Sequence, residues 1–367
     1  MRLSRLNIDN IRNISSAAIE IDPKVNGFYG ANGSGKTSLL EAIYFLGSAR
    51  TFRSHSTDPL IRRGAEEATV FGLVAHEEGG NTRLGVTRGR SGRREIHIDG
   101  QAEIRASALA KRLPTVVLGP ETVELLIGSP GSRRRFLNWG VFHVEPSFGE
   151  LWEHANRCLK QRNRLLRAES GPDPEQLATW TETLSSLATQ VNELRATYFR
   201  RYKEVFEMAC SRLTGLADVE CSYYPGWDTS QSLATVLAEQ SESDRKRGYT
   251  QRGHHRADIR VKVEGENVAN VCSRGELKIL AWAMVLGQGW LLSVDHSVHP
   301  VYLIDDVASE LDQEHRHAVC GWLAETDCQI FATAVDRNAL LDSWGETPVR
   351  LFHVEQGQVV LEETVNE

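Results

Sequence analysis

Apolar and polar residues alternate in the first third of the chain, which is the period of half-buried β-strands. Leu6 and Ile8 alternate, and so do Ile19 and Ile21, so residues 2–21 are expected to form two strands joined by a turn. Further short strands are predicted at 25–29, 70–74, 84–87, 95–98 and 115–118.

The spacing of apolar residues changes to steps of three and four in the middle of the chain. Residues 177–198 carry a heptad seam, and the apolar residues of 148–165 keep the same phase. Between them, the Gly and Pro residues of 169–174 must break a helix. The pattern predicts a helical hairpin of two antiparallel helices that ends near 214–216. The polar stretch 241–248 is interpreted as an exposed loop.

Strands and helices alternate again in the last third. Residues 259–263 form a predicted strand, and 276–292 form a largely apolar helix. The runs 301–304 and 329–332 are of the buried-strand type. One sheet of an α/β fold is therefore expected to draw strands from both ends of the chain, with the helical hairpin inserted between them.

Composition limits the class of protein. A chain of 367 residues suggests about two domains, and 41% hydrophobic with 25% charged residues is typical of a soluble globular protein. No apolar run is interpreted as long enough to cross a bilayer, and the N-terminus lacks the apolar core of a signal peptide. The six cysteines form no C-x-x-C pair, which argues against a zinc site and a disulfide framework and favours a reducing cytoplasm.

The chain has a net charge of −7, so any binding to nucleic acid has to be local. Between Arg133 and Lys203, 12 basic residues stand against 8 acidic ones. The first hairpin helix carries a candidate basic surface, made of Arg157, Lys160, Arg162, Arg164 and Arg167. The alternative is that these side chains only solvate the helix surface.

A phosphate-binding loop pattern, G-x-x-x-x-G-K-S/T, lies between the predicted strand 25–29 and the helix that follows it. Its glycines let the backbone N–H groups face the phosphates, and the helix N-terminus adds positive charge. Lys36 is expected to reach the β- and γ-phosphates of ATP, and the Thr37 hydroxyl to bind Mg²⁺. The alternative is a chance glycine-rich turn before a helix. The loop residues are Gly30, Ala31, Asn32, Gly33, Ser34, Gly35, Lys36 and Thr37.

Two carboxylates follow the apolar strand 301–304. In ATPases with a phosphate loop, such a strand presents an Asp that holds Mg²⁺, and Asp305 is the candidate. Asp306 is a candidate catalytic residue that would position or deprotonate the attacking water. The alternative is a pair of exposed carboxylates before a helix cap.

The segment Ser273-Arg274-Gly275-Glu276 opens the long apolar helix. A Ser and a Gly at this place make a helix N-terminus with free N–H groups, which suits an anion. An ordinary helix cap is the alternative, and the position of the segment ahead of Asp305 favours the anion site.

These features together resemble the ATP-binding-cassette (ABC) type of ATPase head found in SMC proteins and their relatives. The motifs GANGSGKT, SRGEL and VYLIDD occur in the right order, and 309–312 stands where that class has its D-loop. Among these heads, the chain looks most like the RecF family of bacterial recombination mediators. That likeness extends over nearly the whole chain and is carried by LGPETVELLIGSPGSRRRFLNW, IDDVASELDQEH and CSRGELK.

The resemblance implies a phosphate-loop ATPase head with an antiparallel β subdomain and an inserted helical-hairpin domain. The implied boundaries are 1–132 and 249–367 for the two parts of the head and 133–248 for the insertion. Arg12 and Asn13 match an Arg-Asn turn that nucleotides contact in such heads. Ser273 and Gly275 would meet the γ-phosphate of ATP held by a second subunit. The remaining implied nucleotide contacts are Arg274, Glu276, Ser309 and Asp312.

The resemblance also implies a function. Proteins of this family dimerise on ATP, hydrolyse it slowly and bind DNA, double-stranded and gapped, with single strands possible. They act with RecR and RecO in recombinational repair and replication restart, where they help to load RecA in place of single-strand-binding protein. A cytoplasmic protein without a membrane partner is expected.

The chain departs from these families at three places. Asp306 stands where cassette ATPases usually have Glu, and a shorter side chain favours slow hydrolysis. The switch His has no counterpart in 331–336, where Thr333 is the one candidate substitute. The family pattern Gly-Pro-His-Arg-Asp-Asp is here Gly-His-His-Arg-Ala-Asp at 253–258, which leaves the roles of His255 and Arg256 open.

Two other functions compete with this interpretation. Another cassette ATPase, SMC-like or transporter-type, would share the motifs; the transporter-type is disfavoured because a helical hairpin splits the cassette and no membrane-partner surface is evident. A small-molecule kinase would share the phosphate loop, but it gives no reason for the SRGEL segment.

Overall fold

The structure is a computed structural model that describes residues 1–54, 56–168 and 173–362. These residues divide into two compact units. Unit 1 consists of Met1–Thr122, Arg212–Thr214 and the chain from Lys278 onwards, and unit 2 consists of Val123–Ser211 and Gly215–Leu277. The sequence predicted domain boundaries after 132 and after 248. In the structure the first division falls after Thr122, and residues 249–277 are part of unit 2 rather than of the unit that contains the C-terminal strands.

A six-stranded antiparallel sheet in unit 1 has the strand order β2–β1–β4–β5–β6–β7. The alternating pattern predicted every strand of this sheet except β7, because one face of the sheet is buried. In β4, for example, Ala68, Val70, Gly72 and Val74 are buried, and the alternate residues between them are exposed in part. The strands are β1 (Arg2–Ile11), β2 (Ile14–Glu20), β4 (Glu67–Ala75), β5 (Asn81–Gly89), β6 (Arg94–Ile98) and β7 (Gln101–Glu103).

The second sheet of unit 1 has the order β15–β14–β3–β13–β12–β8. All neighbours are parallel except β15, which pairs antiparallel with β14. Every residue of β12 and β13 is buried, as in a parallel sheet covered on both faces. The strands are β3 (Val25–Tyr29), β8 (Thr115–Leu118), β12 (Val301–Ile304), β13 (Ile330–Ala334), β14 (Arg350–Glu355) and β15 (Gln358–Leu361). The predicted sharing of one sheet by both ends of the chain is confirmed.

Helices complete the two units. The helix α1 contacts strands of both sheets of unit 1, and its Leu39, Ile43 and Leu46 belong to the core that the sheets share. The helices in the described residues are α1 (Lys36–Ser48), α2 (Ser107–Arg112), α3 (Glu124–Ile127), α4 (Pro130–Val144), α5 (Phe148–Leu166), α6 (Pro174–Leu213), α7 (Leu233–Glu239), α8 (Ser241–Arg247), α9 (Val268–Val271), α10 (Arg274–His296), α11 (Val307–Glu310), α12 (Gln313–Ala324) and α13 (Arg337–Trp344).

Unit 2 contains the predicted helical hairpin, formed by α5 and α6. Cys158 packs in one cluster with Leu184 and Ala188, and Arg162 Nε donates to Thr181 Oγ1 at 3.0 Å. Later residues of α5 therefore meet earlier residues of α6, which is the antiparallel arrangement that the seam predicts. Of the predicted helix break, residues 169–172 lie outside the described residues. A three-stranded antiparallel sheet, β11–β10–β9, is also part of unit 2, with β9 at Val219–Tyr224, β10 at Asp258–Val263 and β11 at Glu266–Asn267.

Two predictions about this region were wrong. Arg162 was assigned to an exposed basic surface, but it is fully buried and donates to Asp244 Oδ2 at 2.8 Å and Thr250 Oγ1 at 2.7 Å. The stretch 241–248 was interpreted as a loop, but it forms α8, which carries Asp244. The buried ion pair explains both differences, since leaving one partner of such a pair alone costs about 3–5 kcal/mol.

The segment 253–258 is packed against α4 within unit 2. Arg133 holds Asp258 with two hydrogen bonds of 2.7 and 3.1 Å, and Arg134 Nη1 donates to Ala257 O at 3.0 Å. Arg195 Nη1 donates to His254 O at 2.7 Å. The segment therefore forms a hydrogen-bonded turn in which Gly253, His254 and Ala257 are buried and Arg256 is exposed.

One helix, α10, is long and apolar enough to cross a membrane by length and composition among the described residues. The sequence predicted no such run. Within this protein, 78% of that apolar stretch is buried, as in the core helix of a globular unit.

We predict that acid destabilises unit 2 through its buried histidines. Burial, followed by the charge of Arg195, lowers the pKa of His254 from 6.5 to about 3, and burial lowers the pKa of His255 to about 4. Below pH 6.5 the unfolded chain therefore binds protons that the folded chain does not, so stability present above pH 6.5 is lost as the pH falls towards the folded values. The loss is about 1.4 kcal/mol per pH unit for each histidine.

Urea unfolding between pH 5 and pH 8 measures this loss. His254→Gln should flatten the pH dependence of the unfolding free energy, whereas His154→Gln, at an exposed position of α5, should leave it as in the wild type. Equal slopes for the wild type and His254→Gln would contradict the prediction.

Candidate nucleotide-binding site

The predicted phosphate loop connects β3 to α1 in unit 1. Its last glycine, Gly35, precedes the helix with a φ of 123°, and α1 begins at Lys36. A Cβ at Gly35 would lie 3.1 Å from Asn13 Nδ2, so this position combines a left-handed backbone with a close neighbour. The loop thus has the strand–glycine–helix context that its motif requires.

Lys36 is buried and points along the inside of the loop. Its Nζ donates to Gly30 O at 2.7 Å and to Ala31 O at 3.0 Å. Burial lowers the pKa of Lys36, and the nearby Asp306 and Asp305 oppose that shift. The ammonium thus binds the loop carbonyls and lies near enough to both carboxylates for their charge to act on its pKa.

Asp305 reaches the loop because β12, β13 and β3 are parallel neighbours. Ile304 pairs with Ala332, and Ala334 pairs with Tyr29, so the carboxyl ends of the strands meet at one edge. Thr37 Oγ1 lies 2.8 Å from Asp305 Oδ1 and 3.2 Å from Oδ2. A hydroxyl and a carboxylate are hard oxygen donors, so this pair fits Mg²⁺.

Thr333 links the two neighbouring carboxylate residues and was not assigned this role from the sequence. Its fully buried hydroxyl lies 3.0 Å from Asp305 Oδ1 and accepts the Asp306 N–H at 2.8 Å. One hydroxyl can donate one bond while it accepts another, so Thr333 satisfies both. Asp306 itself has a left-handed backbone with a φ of 54° at the start of α11. In the sequence, this role is indicated by a Thr within the otherwise apolar strand IFATA.

Arg12 and Asn13 lie beside the loop, in the turn between β1 and β2. Arg12 forms a two-bond ion pair with the buried Glu41 of α1, with both distances 2.8 Å. Asn13 Nδ2 donates to Gly33 O at 3.2 Å and Ser34 O at 3.0 Å. Both side chains were predicted to contact the nucleotide, and in the structure they hold α1 and the loop backbone.

An open cleft of about 550 Å³ adjoins the same turn. Its lining combines three arginines with two apolar residues, one amide and one carboxylate. The lining residues are Arg12, Asn13, Asp58, Pro59, Ile61, Arg63 and Arg90.

The segment 273–276 is a capping box at the start of α10, within unit 2. The Ser273 N–H donates to Glu276 Oε2 at 2.7 Å, and the Glu276 N–H donates to Ser273 Oγ at 3.3 Å. The Ser273 N–H bond lowers the pKa of the Glu276 carboxyl. Arg274 and Gly275 are exposed, and no neighbour lies within 4 Å of where a Gly275 Cβ would stand. Residues 273–276 therefore cap α10, and the outer side of this cap is exposed.

The two D-loop residues have different surroundings. Ser309 Oγ donates to Asp306 O at 3.2 Å, next to the carboxylates. Asp312 caps α12, because its Oδ1 accepts the His315 N–H at 3.0 Å and its Oδ2 lies 2.7 Å from His315 Nδ1. Unit 1 thus brings together the loop, Asn13, Asp305, Asp306 and Ser309, whereas 273–276 belongs to unit 2.

A second group of metal-ligand types lies among the described residues, at Glu77, His299 and Asp327. The amino group of Met1 binds Glu77 at 3.0 Å, and Arg2 binds Asp327. These cations already neutralise the carboxylates, so the group is interpreted as a cluster of ion pairs.

Known proteins resemble this chain over nearly its whole length. The family model described as RecF/RecN/SMC N terminal domain matches residues 2–360. Two proteins named DNA replication and repair protein RecF, from Pseudomonas syringae pv. syringae (strain B728a) and Pseudomonas putida (strain GB-1), are each 44% identical over 360 residues, which is 98% of this chain and 98% of theirs.

Two solved structures have the same fold. One is described as the recombination mediator protein RecF-ATP in the RecFOR pathway, with a TM-score of 0.87, 24% identity and coverage of 99% of this chain and 98% of that chain. The other is an SMC head bound to the C-winged helix domain of ScpA, with a TM-score of 0.62, 14% identity and coverage of 100% and 98%. The fold is therefore that of the RecF and SMC heads, an ABC-type ATPase head, and the chain belongs to the RecF family.

Proposed function

We propose that this protein is an ATP-dependent DNA-binding protein of recombinational repair and replication restart, in which ATP controls dimerisation. The contact of Thr37 with Asp305, inside a complete phosphate loop, is the observation that carries the proposal. The names of the relatives, which refer to DNA replication and repair and to ATP in the RecFOR pathway, support the cellular role. We extend to this chain a partnership with RecR and RecO, help in loading RecA at gapped DNA, and a cytoplasmic location.

The described side chains suit slow ATP hydrolysis. Lys36 would neutralise the β- and γ-phosphates, while Thr37 and Asp305 would hold Mg²⁺, which supplies charge stabilisation for the transferred phosphoryl group. Asp306 would orient or deprotonate the attacking water. Its side chain is one methylene shorter than the Glu of most cassette ATPases, which favours a slow reaction.

The segment 273–276 suits a role between two copies of the chain. Its helix N-terminus is capped and its outer face is exposed, so the Ser273 hydroxyl and the N–H of Gly275 are accessible to an anion. The γ-phosphate of ATP bound to a second copy is the anion that the family resemblance implies. Arg274 would add positive charge at the same place.

The basic surface on α5 is smaller than the sequence suggested. Arg162 is buried, and Arg167 Nε donates to Gly248 O at 3.0 Å. Arg167 is exposed, but it is the C-cap of α5 and its guanidinium is held by that carbonyl. Within the helix, Arg157, Lys160 and Arg164 are exposed at spacings of three and four residues, so they share one face of α5. This basic face of α5 is the proposed part of the DNA surface, and two copies joined by ATP would act together on one DNA molecule.

Lys36→Ala should abolish productive ATP binding, because it removes the ammonium that lies against the loop carbonyls and would neutralise the β- and γ-phosphates. Fluorescence titration with a labelled ATP analogue measures the effect. Lys246→Ala, on the exposed α8, is the control and should bind ATP like the wild type. Wild-type affinity in Lys36→Ala would contradict the assignment of the phosphate loop.

Asp306→Asn should bind MgATP but hydrolyse it at least about tenfold more slowly, since removal of a general base commonly costs 10²–10⁴-fold. Asn tolerates a left-handed backbone, so the variant keeps the conformation at φ 54°. Asp305→Asn is the contrasting variant and should weaken the dependence on Mg²⁺ itself. Steady-state phosphate release against MgCl₂ separates the two, and hydrolysis at the wild-type rate in Asp306→Asn would show that Asp306 is not the base.

Replacing Arg157, Lys160 and Arg164 together with Ala should weaken DNA binding without changing ATP affinity. Each lost phosphate contact should lower the slope of log affinity against log salt by about 0.9. A charge-matched triple variant of Arg83 and Arg94, in the antiparallel sheet, and Arg93, in the turn just before β6, is the comparison. Loss of DNA binding only in that second variant would move the DNA surface to the sheet.

DNA binding with and without ATP tests the proposed function as a whole. ATP should strengthen binding by the wild type, and Ser273→Arg should lose that increase while it keeps its own ATP affinity. DNA affinity that does not respond to ATP in the wild type would contradict an ATP-controlled clamp.

A further inference from the structure

The C-terminal β-hairpin ends at the phosphate loop. Its strand β14 is parallel to β3, and His353 pairs with Tyr29, the last residue of β3 before the loop. The hairpin then turns at Gln356 and Gly357 and returns as β15. Because parallel strands end at the same edge, this turn lies where the phosphate loop begins.

Two turns hold the same loop carbonyl. The Gly357 N–H donates to Ser34 O at 2.7 Å, and Asn13 Nδ2 donates to it at 3.0 Å. Asn13 Nδ2 also donates to the neighbouring Gly33 O at 3.2 Å, and Asn13 Oδ1 accepts from Ser38 Oγ at 2.9 Å. The turn between β1 and β2 and the turn between β14 and β15 thus bind the loop together.

These bonds fix the direction of a loop N–H. A trans peptide unit is planar, and its C=O and N–H point to opposite sides. When Ser34 O is held by Asn13 and Gly357, the N–H of Gly35 must point away from the two turns. A phosphate loop works through N–H groups that face the ligand, so a loop already held in this direction pays less ordering entropy on binding.

The contact between the turns depends on the absence of a side chain at Gly357. A Cβ there would stand 2.4 Å from Asn13 O, which is a backbone atom, and the Gly357 φ is +81°. A Cβ at Gly35 would stand 3.4 Å from Gly357 Cα. The three segments therefore touch backbone to backbone.

We propose that Gly357 is a positioning residue of the phosphate loop, which together with Asn13 orients the loop N–H groups towards the triphosphate. This inference rests on the proposed function, since it concerns the same nucleotide site. It assigns to the C-terminal hairpin a part in ATP binding, although no side chain of its turn is needed at the ligand.

Gly357→Ala tests the inference against a matched control. Gly100 occupies the turn between β6 and β7 of the same unit, with a φ of +80° and nothing within 4 Å of a Cβ. The residue before each glycine also has a positive φ, 52° at Asp99 and 47° at Gln356. Gly100→Ala therefore imposes the same backbone strain without displacing a neighbour.

We expect Gly357→Ala to raise the dissociation constant for MgATP about tenfold relative to Gly100→Ala, the size of effect expected for about one hydrogen bond. Without nucleotide, Gly357→Ala should melt at a lower temperature than Gly100→Ala, because only its Cβ displaces a backbone atom, so ATP affinity is compared at a temperature where both variants are folded. The KM for ATP should rise while kcat stays within about twofold, because the residues around Asp306 are untouched. Equal ATP affinity in the two variants would overturn the inference.

A second pair of variants covers the case in which Gly357→Ala does not fold. One glycine inserted after Gly357 displaces the donor N–H without adding a side chain, and the same insertion after Gly100 is its control. Weaker ATP binding only in the first insertion supports the inference, and equal binding overturns it. If the wild type itself fails to bind ATP, the proposed function fails; if it binds ATP and all variants bind equally, only this inference fails.

Discussion

The contact between Thr37 and Asp305 joins residues that are 268 positions apart in the chain. It exists because β12, β13 and β3 are parallel and end at one edge of a buried sheet. Helix α1 begins at that edge, so the same pairing places Lys36 near both carboxylates. The candidate ATP site therefore depends on the long-range closure of the second sheet of unit 1 and cannot form from the N-terminal segment alone.

Hydrogen-bonded polar groups, some buried and some exposed, fix the parts of this site relative to each other. The Thr333 hydroxyl serves Asp305 and the backbone of Asp306, Asn13 serves the loop carbonyls, and Glu41 neutralises Arg12. The Thr333 hydroxyl and the Glu41 carboxylate are fully buried, so each would be costly if left without a partner in a low-dielectric interior. The network consequently favours one conformation of the loop before any ligand arrives, which is the condition for tight phosphate binding.

The sequence was informative where local pattern and local structure coincide. The motif at 30–37, the strand before Asp305 and the seam of the helical hairpin follow from residue type and spacing, and the structure contains all of them. Composition gave the wrong prediction where a tertiary contact determines the structure. The polar residues of α8 predicted a loop, but in the structure Asp244 of this helix forms a buried ion pair with Arg162. Arg162 lies four residues after the buried Cys158, so its helical phase indicated burial while its charge indicated exposure. The hydrogen bond from the Gly357 N–H to Ser34 O could not be predicted from residue types, because it joins two backbone groups.

The central claim is that nucleotide bound at the Thr37–Asp305 site brings two copies of the chain together. Sedimentation velocity of the wild-type protein, with and without MgATP, tests it most directly. The geometry of the loop and the exposed capping box predicts a monomer without nucleotide and a dimer with MgATP. A protein that sediments as the same species in both conditions, while it binds ATP, would contradict the claim.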